Sequence, residues 1–219
     1  LSLWTKSDEA KVNKFEAASY RSGLALTHKP LEQSTLMLGF QSVNYTTLKE
    51  HYLTQLLSII LGGGLSSRLF QNIREKLGLA YSIGSFNSAY ADLGLFTIYA
   101  SCAHNQVLTL ISSIAREIHS LLEDINDAEI NRAKAQIKAN IKMAEEKGSY
   151  LAEYIAKSFA INGGYVDHEY ILNNYILNVN QEELMQQARK IFATDVNVAF
   201  VGDKSVKLDY NEIYNQLKL

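Results

Sequence analysis

The run from Gly62 to Ser82 constrains the fold more than any other part of this sequence. Gly62, Gly63 and Gly64 end whatever helix precedes them, because a glycine in a helix interior costs about 1 kcal/mol relative to alanine. Ser66 or Ser67 is then placed to cap a second helix, and Leu69, Phe70, Ile73 and Leu77 keep helical spacing within it. Gly78 is the expected left-handed terminator. A strand pattern begins at Leu79. A glycine break, a capped amphipathic helix, a glycine stop and a strand thus follow one another in 21 residues. Such a chain turns a helix sharply onto a sheet.

The flanking segments carry the same two periods. Ser19 to His28 alternates and turns at Lys29-Pro30, and Gln33 to Gln41 puts Leu36, Leu38 and Phe40 on one face. Thr47 and Glu50 have the capping-box spacing, which predicts a helix to about Leu61 with Leu53, Leu56, Leu57 and Ile60 buried. Strands are expected over Leu79 to Tyr90 and Gly94 to Cys102, joined by Ala91-Asp92-Leu93. Helices follow over 105–123, 127–146, 148–162, 167–177 and 181–193, with Asn126/Glu129 and Asn180/Glu183 repeating the cap spacing. Val196 to Val201 reads as a late strand and 209–217 as a last short helix. Residues 1–17 read as a linker or surface helix, and 18–219 as one domain. Strand pairs set among helical runs make this an α+β chain, an α/β sandwich and not a doubly wound repeat.

Several function classes find no support. With 21 basic and 23 acidic residues there is no clustered basic surface for a nucleic acid, and the 13 tyrosines sit beside acidic residues as often as basic ones. The longest apolar run, Leu56 to Leu61, is far too short to span a bilayer. Cys102 is the one cysteine, so no intrachain disulfide forms, which fits a reducing compartment. Gly62 to Gly64 does not continue into the Gly-Lys-Ser/Thr of a phosphate loop. Cys102 and His104 are close in sequence but have no third group to orient them, so a buried inert thiol is the expectation.

The chemistry-bearing candidates are Arg74, in the last turn of the second helix, and Tyr81, early in the following strand. Both are hydrogen-bond donors, and from one helix–strand corner they could address one peptide carbonyl or its developing oxyanion. The plainer reading makes Arg74 a partner for the helix dipole and Tyr81 half-buried packing. The whole run, with Pro30 to Gly39 before it, resembles the second-half domain of pitrilysin-type metallopeptidases, the insulinase and mitochondrial-processing-peptidase relatives, bacterial zinc proteases included. The match extends over roughly residues 18–203. The words Ser-Ser-Arg-Leu-Phe and Ala-Tyr-Ser and the seven-residue spacing of Arg74 and Tyr81 carry it. The resemblance implies a mostly antiparallel sheet covered on one side by helices. It implies that Arg74 and Tyr81 contact substrate backbone, and that Gly62, Gly63 and Gly64 take a modest part in substrate gating.

In that family zinc is held by an H-x-x-E-H motif on a homologous partner domain. No such motif occurs here. None of His28, His51, His104, His119 and His168 has a histidine four residues on, and His119 with Glu123 supplies two ligands at most. His168, between Asp167 and Glu169, reads as solvated surface. The resemblance therefore implies a substrate-binding, zinc-free half of an endopeptidase acting on extended or unfolded peptides, inactive alone. Its implied partners are a zinc-bearing homologous domain, on the same polypeptide or a separate subunit, a peptide substrate, and in some arrangements a dimer. The start at Leu1 in place of Met favours an excised fragment with the zinc domain upstream. The alternative is a non-catalytic assembly subunit of the same fold, like the core subunits of the bc1 complex; a free-standing α+β interaction domain is a third. The frequent Asn, Ile, Lys and Tyr suit an AT-rich bacterial genome, and the cytoplasm is the expected compartment.

Overall fold

Alternation along the second strand decides how the layers are arranged. Leu36, Leu38 and Phe40 are fully buried, whereas Met37 between them is exposed. One face of the sheet is therefore covered and the other open. The computed structural model describes residues 16–218. The linker or surface helix expected over residues 1–17 lies, up to residue 15, outside the described residues. Five strands form the sheet: β1 (Gly23–His28), β2 (Ser34–Ser42), β3 (Ser82–Ala89), β4 (Gly94–Cys102) and β5 (Asn197–Gly202). Their order is β1-β5-β2-β4-β3, and only β1 and β5 run parallel. The first strand begins at Gly23, four residues later than the alternation suggested, and the last spans 197–202 instead of 196–201.

The helices lie over the face that carries Leu38, Ile98 and Val198. They are α1 (Leu48–Gly62), a π-type helix (Leu69–Lys76), α2 (Val107–Glu123), α3 (Asp127–Glu145) and α4 (Gly148–Asn162). Then come α5 (His168–Ile171), which widens into a second π-type turn (Leu172–Ile176), α6 (Gln181–Phe192) and α7 (Tyr210–Leu217). Phe192 of α6 meets Phe40 and Phe96 edge to face at 5.0 and 5.5 Å between ring centres, which joins helix layer to sheet. The stripe expected on α1 is buried as read, and a hydrogen bond of 3.0 Å from Gln187 Nε2 to Thr54 Oγ1 ties α1 to α6.

Both Asn caps form with both of their bonds: Asn126 accepts from the Glu129 amide and Asn180 from that of Glu183, while each glutamate reaches back. The box expected at Thr47 does not form. Asn44 takes over, its Oδ1 accepting from the Thr46 amide at 3.0 Å and the Thr47 amide at 3.3 Å, while the Thr47 hydroxyl donates to the Asn44 carbonyl. An Asx turn just ahead of the helix has competed successfully for the same side chain.

Candidate functional site

The glycine run is held against β3 by close approach. Gly62 is the last residue of α1, and a Cβ there would overlap the Ser85 nitrogen and the Gly84 carbonyl carbon. Two buried serines seal this junction, Ser58 Oγ donating to the Ser85 carbonyl at 3.0 Å and Ser85 Oγ to that of Ser58 at 2.9 Å. Beyond the glycines the expected serine cap is absent. The Ser67 hydroxyl donates backwards to the Gly64 carbonyl at 2.6 Å, closing a turn instead of accepting from the helix.

Arg68 anchors the start of this helix without capping it. Its Nε and one Nη donate to the two carboxylate oxygens of Glu129 at 2.7 Å each, and that Nη also reaches the Asp124 carbonyl at 2.7 Å. The start of the π-type helix is thus clamped to the capping box of α3. At the other end Gly78 takes φ +62°, the left-handed position expected of it. The Leu79 amide closes onto the Ile73 carbonyl at 3.1 Å, a wide loop in keeping with π-type pairing. Leu69 and Ile73 are buried as read, whereas Leu77 is exposed, because the widened helix carries it off the apolar face.

Arg74 and Tyr81 come out on either side of this Gly78 corner. Tyr81 is 73% exposed, its amide held by the Ser101 carbonyl at 2.9 Å. Arg74 is also exposed, its guanidinium carbon 4.6 Å from the centre of the Phe70 ring. Among the described residues it makes no ion pair. One cleft of about 380 Å³ is lined by both Arg74 and Tyr81, with Gln33, Gly78 and Cys102. A second, of about 540 Å³, is lined by Arg74, Gly62, Gly63, Gly64, Phe86 and Tyr99. Arg74 stands between the two, so the residues selected from the sequence share one continuous corner of the molecule.

The remaining candidates separate. Cys102 is buried, and burial pushes its thiol up to about 11. His104 lies between the Ser34 hydroxyl and the Leu31 carbonyl, both 2.8 Å away, as a pin for the strand start. His119 Nε2 faces the Gln216 carbonyl at 3.1 Å, a contact to α7. His168 corrects the sequence reading: it is 2% exposed, not solvated surface, with Nδ1 2.9 Å from Glu145 and Tyr150 and Tyr154 against its ring. Flanking acids made it look exposed, but the helix start turns it inward. Around it lies a tyrosine-walled pocket to which no sequence signal pointed, since Tyr52 comes from α1 and Tyr150 and Tyr154 from the distant α4.

Among the described residues no three His, Cys, Asp or Glu side chains come together as a metal site. The donor set among these residues does not fit a zinc ion. No helix among them is long and apolar enough to cross a membrane.

Comparison with known proteins converges on one family. Residues 1–137 match the family profile described as "Peptidase M16 inactive domain". An "uncharacterized zinc protease" of Rickettsia bellii is 43% identical over 93% of this chain and 49% of its own. The "uncharacterized zinc protease YmxG" of Bacillus subtilis is 32% identical over 91% of this chain and 49% of its own. The chain therefore spans about half the length of these relatives. Among solved structures, a peptidase M16 inactive domain from Pseudomonas fluorescens superposes with a TM-score of 0.78 at 18% identity, over 90% of this chain and 47% of that one. A chain of Complex III2 from Candida albicans gives 0.78 at 18% identity, over 92% and 50%. These two likenesses show the fold. With the profile covering more than half its residues, this chain belongs to the peptidase M16 family, in the part described as the inactive domain.

Proposed function

We propose that this chain is the substrate-holding, zinc-free half of a zinc endopeptidase that acts on extended or unfolded peptides. The observation that carries the reading is the shared corner at Gly78, where two exposed donors, Arg74 and Tyr81, line one cleft. An extended peptide laid there offers carbonyl oxygens to the guanidinium N–H groups and the phenol O–H. Such donors favour hydrolysis to the extent that they bind a carbonyl oxygen more strongly as it gains negative charge. Gly62, Gly63 and Gly64 line the adjoining cleft beside Arg74, which supports a part in gating. Zinc, with the water it activates, would be held by a homologous domain in the other half of the protein, as the half-length match to relatives named zinc proteases supports.

The test is made in the protein with its zinc-bearing half, zinc content held constant. Arg74→Ala and Tyr81→Phe should each lower kcat/KM for an extended peptide, by about 100-fold where the lost donor serves the transition state. Unchanged kcat/KM in both would refute the assignment. It would favour the other reading of this architecture, an assembly subunit without substrate contact; a chain of Complex III2 has the same fold.

A further inference from the structure

A pocket of about 370 Å³ lies between α1, α3, α4 and the outer strand β3. Tyr52, Tyr150 and Tyr154 line it, and two of these rings are locked. Tyr154 donates its hydroxyl to the Val166 carbonyl at 2.7 Å, and the Tyr150 hydroxyl lies 3.3 Å from His168 Nε2. His168 is fixed in turn by Glu145 on Nδ1, so the ring donates there and accepts from Tyr150. Its ring centre is 3.9 Å from that of Tyr154. These walls are therefore in place before anything binds.

The lining limits what can occupy the pocket. It contains no Asp, Glu, Lys or Arg, and the nearby Glu145 is already paired with Lys142 and His168. A charged group would lose its water there without gaining a counter-charge. Asn87 lies in the wall with both its Oδ1 and its Nδ2 buried and without a hydrogen-bond partner. Buried carboxamides are normally satisfied, and a rotation of this side chain towards the pocket presents it to a group able to donate or accept. A flat apolar ring with a hydroxyl at its tip meets both conditions. Phe86, the residue before Asn87, lines this pocket and also the cleft that holds Arg74.

We propose that the pocket is a specificity site for a tyrosine side chain of the bound peptide, its ring among Tyr52, Tyr150 and Tyr154 and its hydroxyl on the Asn87 carboxamide. The assignment of this ligand to a substrate peptide rests on the function proposed above; the binding chemistry does not.

The test uses the 219-residue chain with labelled isoleucine methyl groups, titrated by NMR with N-acetyl-tyrosinamide, N-acetyl-phenylalaninamide and N-acetyl-lysinamide. Tyrosinamide should give saturable shifts at Ile59, Ile137 and Ile141, which line the pocket. It should bind about tenfold more tightly than phenylalaninamide, since a site that pairs a hydroxyl discriminates against its absence. Lysinamide should not saturate. Asn87→Leu should abolish the tyrosine preference while leaving phenylalaninamide within about twofold of its wild-type affinity. Asn140→Trp, at an exposed lining position, should block both ligands and does not depend on the Asn87 variant folding. The proposal is overturned by absent shifts, by phenylalaninamide or lysinamide binding as tightly as tyrosinamide, or by a preference that survives Asn87→Leu. No peptide is cleaved and Arg74 is untouched, so a failure here is separable from unchanged turnover in the Arg74 and Tyr81 variants.

Discussion

Replacing Arg68 with Met removes the clamp that holds the Arg74-bearing helix to α3. Both side chains of the Arg68–Glu129 pair are 11% exposed, and removing one partner of a buried pair costs about 3–5 kcal/mol. Glu129 retains the Asn126 amide at 3.1 Å and the Asn126 carboxamide at 2.8 Å, so the lower end applies, about 3 kcal/mol. In a chain of this size that lowers Tm by about 6–12 °C. The pH dependence gives a second reading. Burial alone would raise the Glu129 carboxyl; the Arg68 guanidinium outweighs it, with help from the Asn126 amide, and holds it below its ordinary value. A depressed carboxyl stabilises above its unfolded pKa, and that contribution is lost as pH falls through the lower folded value. With Arg68 gone, burial acts against weaker opposition, so the carboxyl rises and the acid-side loss shrinks or changes sign. Urea unfolding at neutral pH and again near pH 4, for the wild type, R68M, E129Q and the double variant, measures both effects. A loss below about 1 kcal/mol in R68M, or an acid slope equal to that of the wild type, would refute the clamp.

Two further outcomes separate real from apparent sequence signals. Asn126→Ala and Asn180→Ala should each cost about 1 kcal/mol in urea unfolding, whereas Thr47→Ala should cost less than half as much, because Asn44 occupies the Thr47 turn. Equal losses at all three positions would contradict the Asx turn. Cys102 should resist thiol reagents near pH 8 and react only at the rate of unfolding, since it is buried and its thiol is pushed up to about 11. Rapid native-state labelling would show that the cleft beside Tyr81 opens further than its geometry indicates.

What was legible in the sequence was whatever a short window determines. Period two along 34–42 and 94–102 located the two central strands, and Gly78 announced its positive φ. Asn126 and Asn180 announced their caps, because the partner glutamate lies three residues away in each case. Thr47 failed within a window of the same size. The capping-box pattern does not register a competitor three residues upstream, and Asn44 is one. Leu77 failed because helical spacing assumes an α ladder and this helix is wider. The parallel placement of β5 beside β1, about 170 residues away in sequence, has no local signature at all. Nor has the tyrosine pocket, whose walls meet only after α1, α3, α4 and β3 have packed. Arg74 and Tyr81 were singled out because the family resemblance gave meaning to a seven-residue spacing that packing rules alone leave neutral.

Phe86 and Asn87 show why strand register matters to this site as much as the named donors do. They are consecutive on β3, so they face opposite sides of the sheet, Phe86 opposite Thr97 and Asn87 opposite Phe96. Phe86 joins the Arg74 cleft, the groove on the open sheet face and the tyrosine pocket. A slip of one residue against β4 would exchange the two, putting the carboxamide on the open face and the phenyl ring beneath the helices. The hairpin opposes that slip. The Tyr90 amide bonds to the Leu93 carbonyl at 2.7 Å, and Gly94 passes so close to the Val43 carbonyl that no side chain fits there. In the middle of β3, Gly62 and the paired Ser58 and Ser85 lock α1 onto the strand. The strand is thus fixed at its hairpin and at its middle by contacts that touch neither Arg74 nor Tyr81. A substitution at Gly94 or Gly62 should therefore disturb the cleft and the pocket together, which sets it apart from the loss of a single donor.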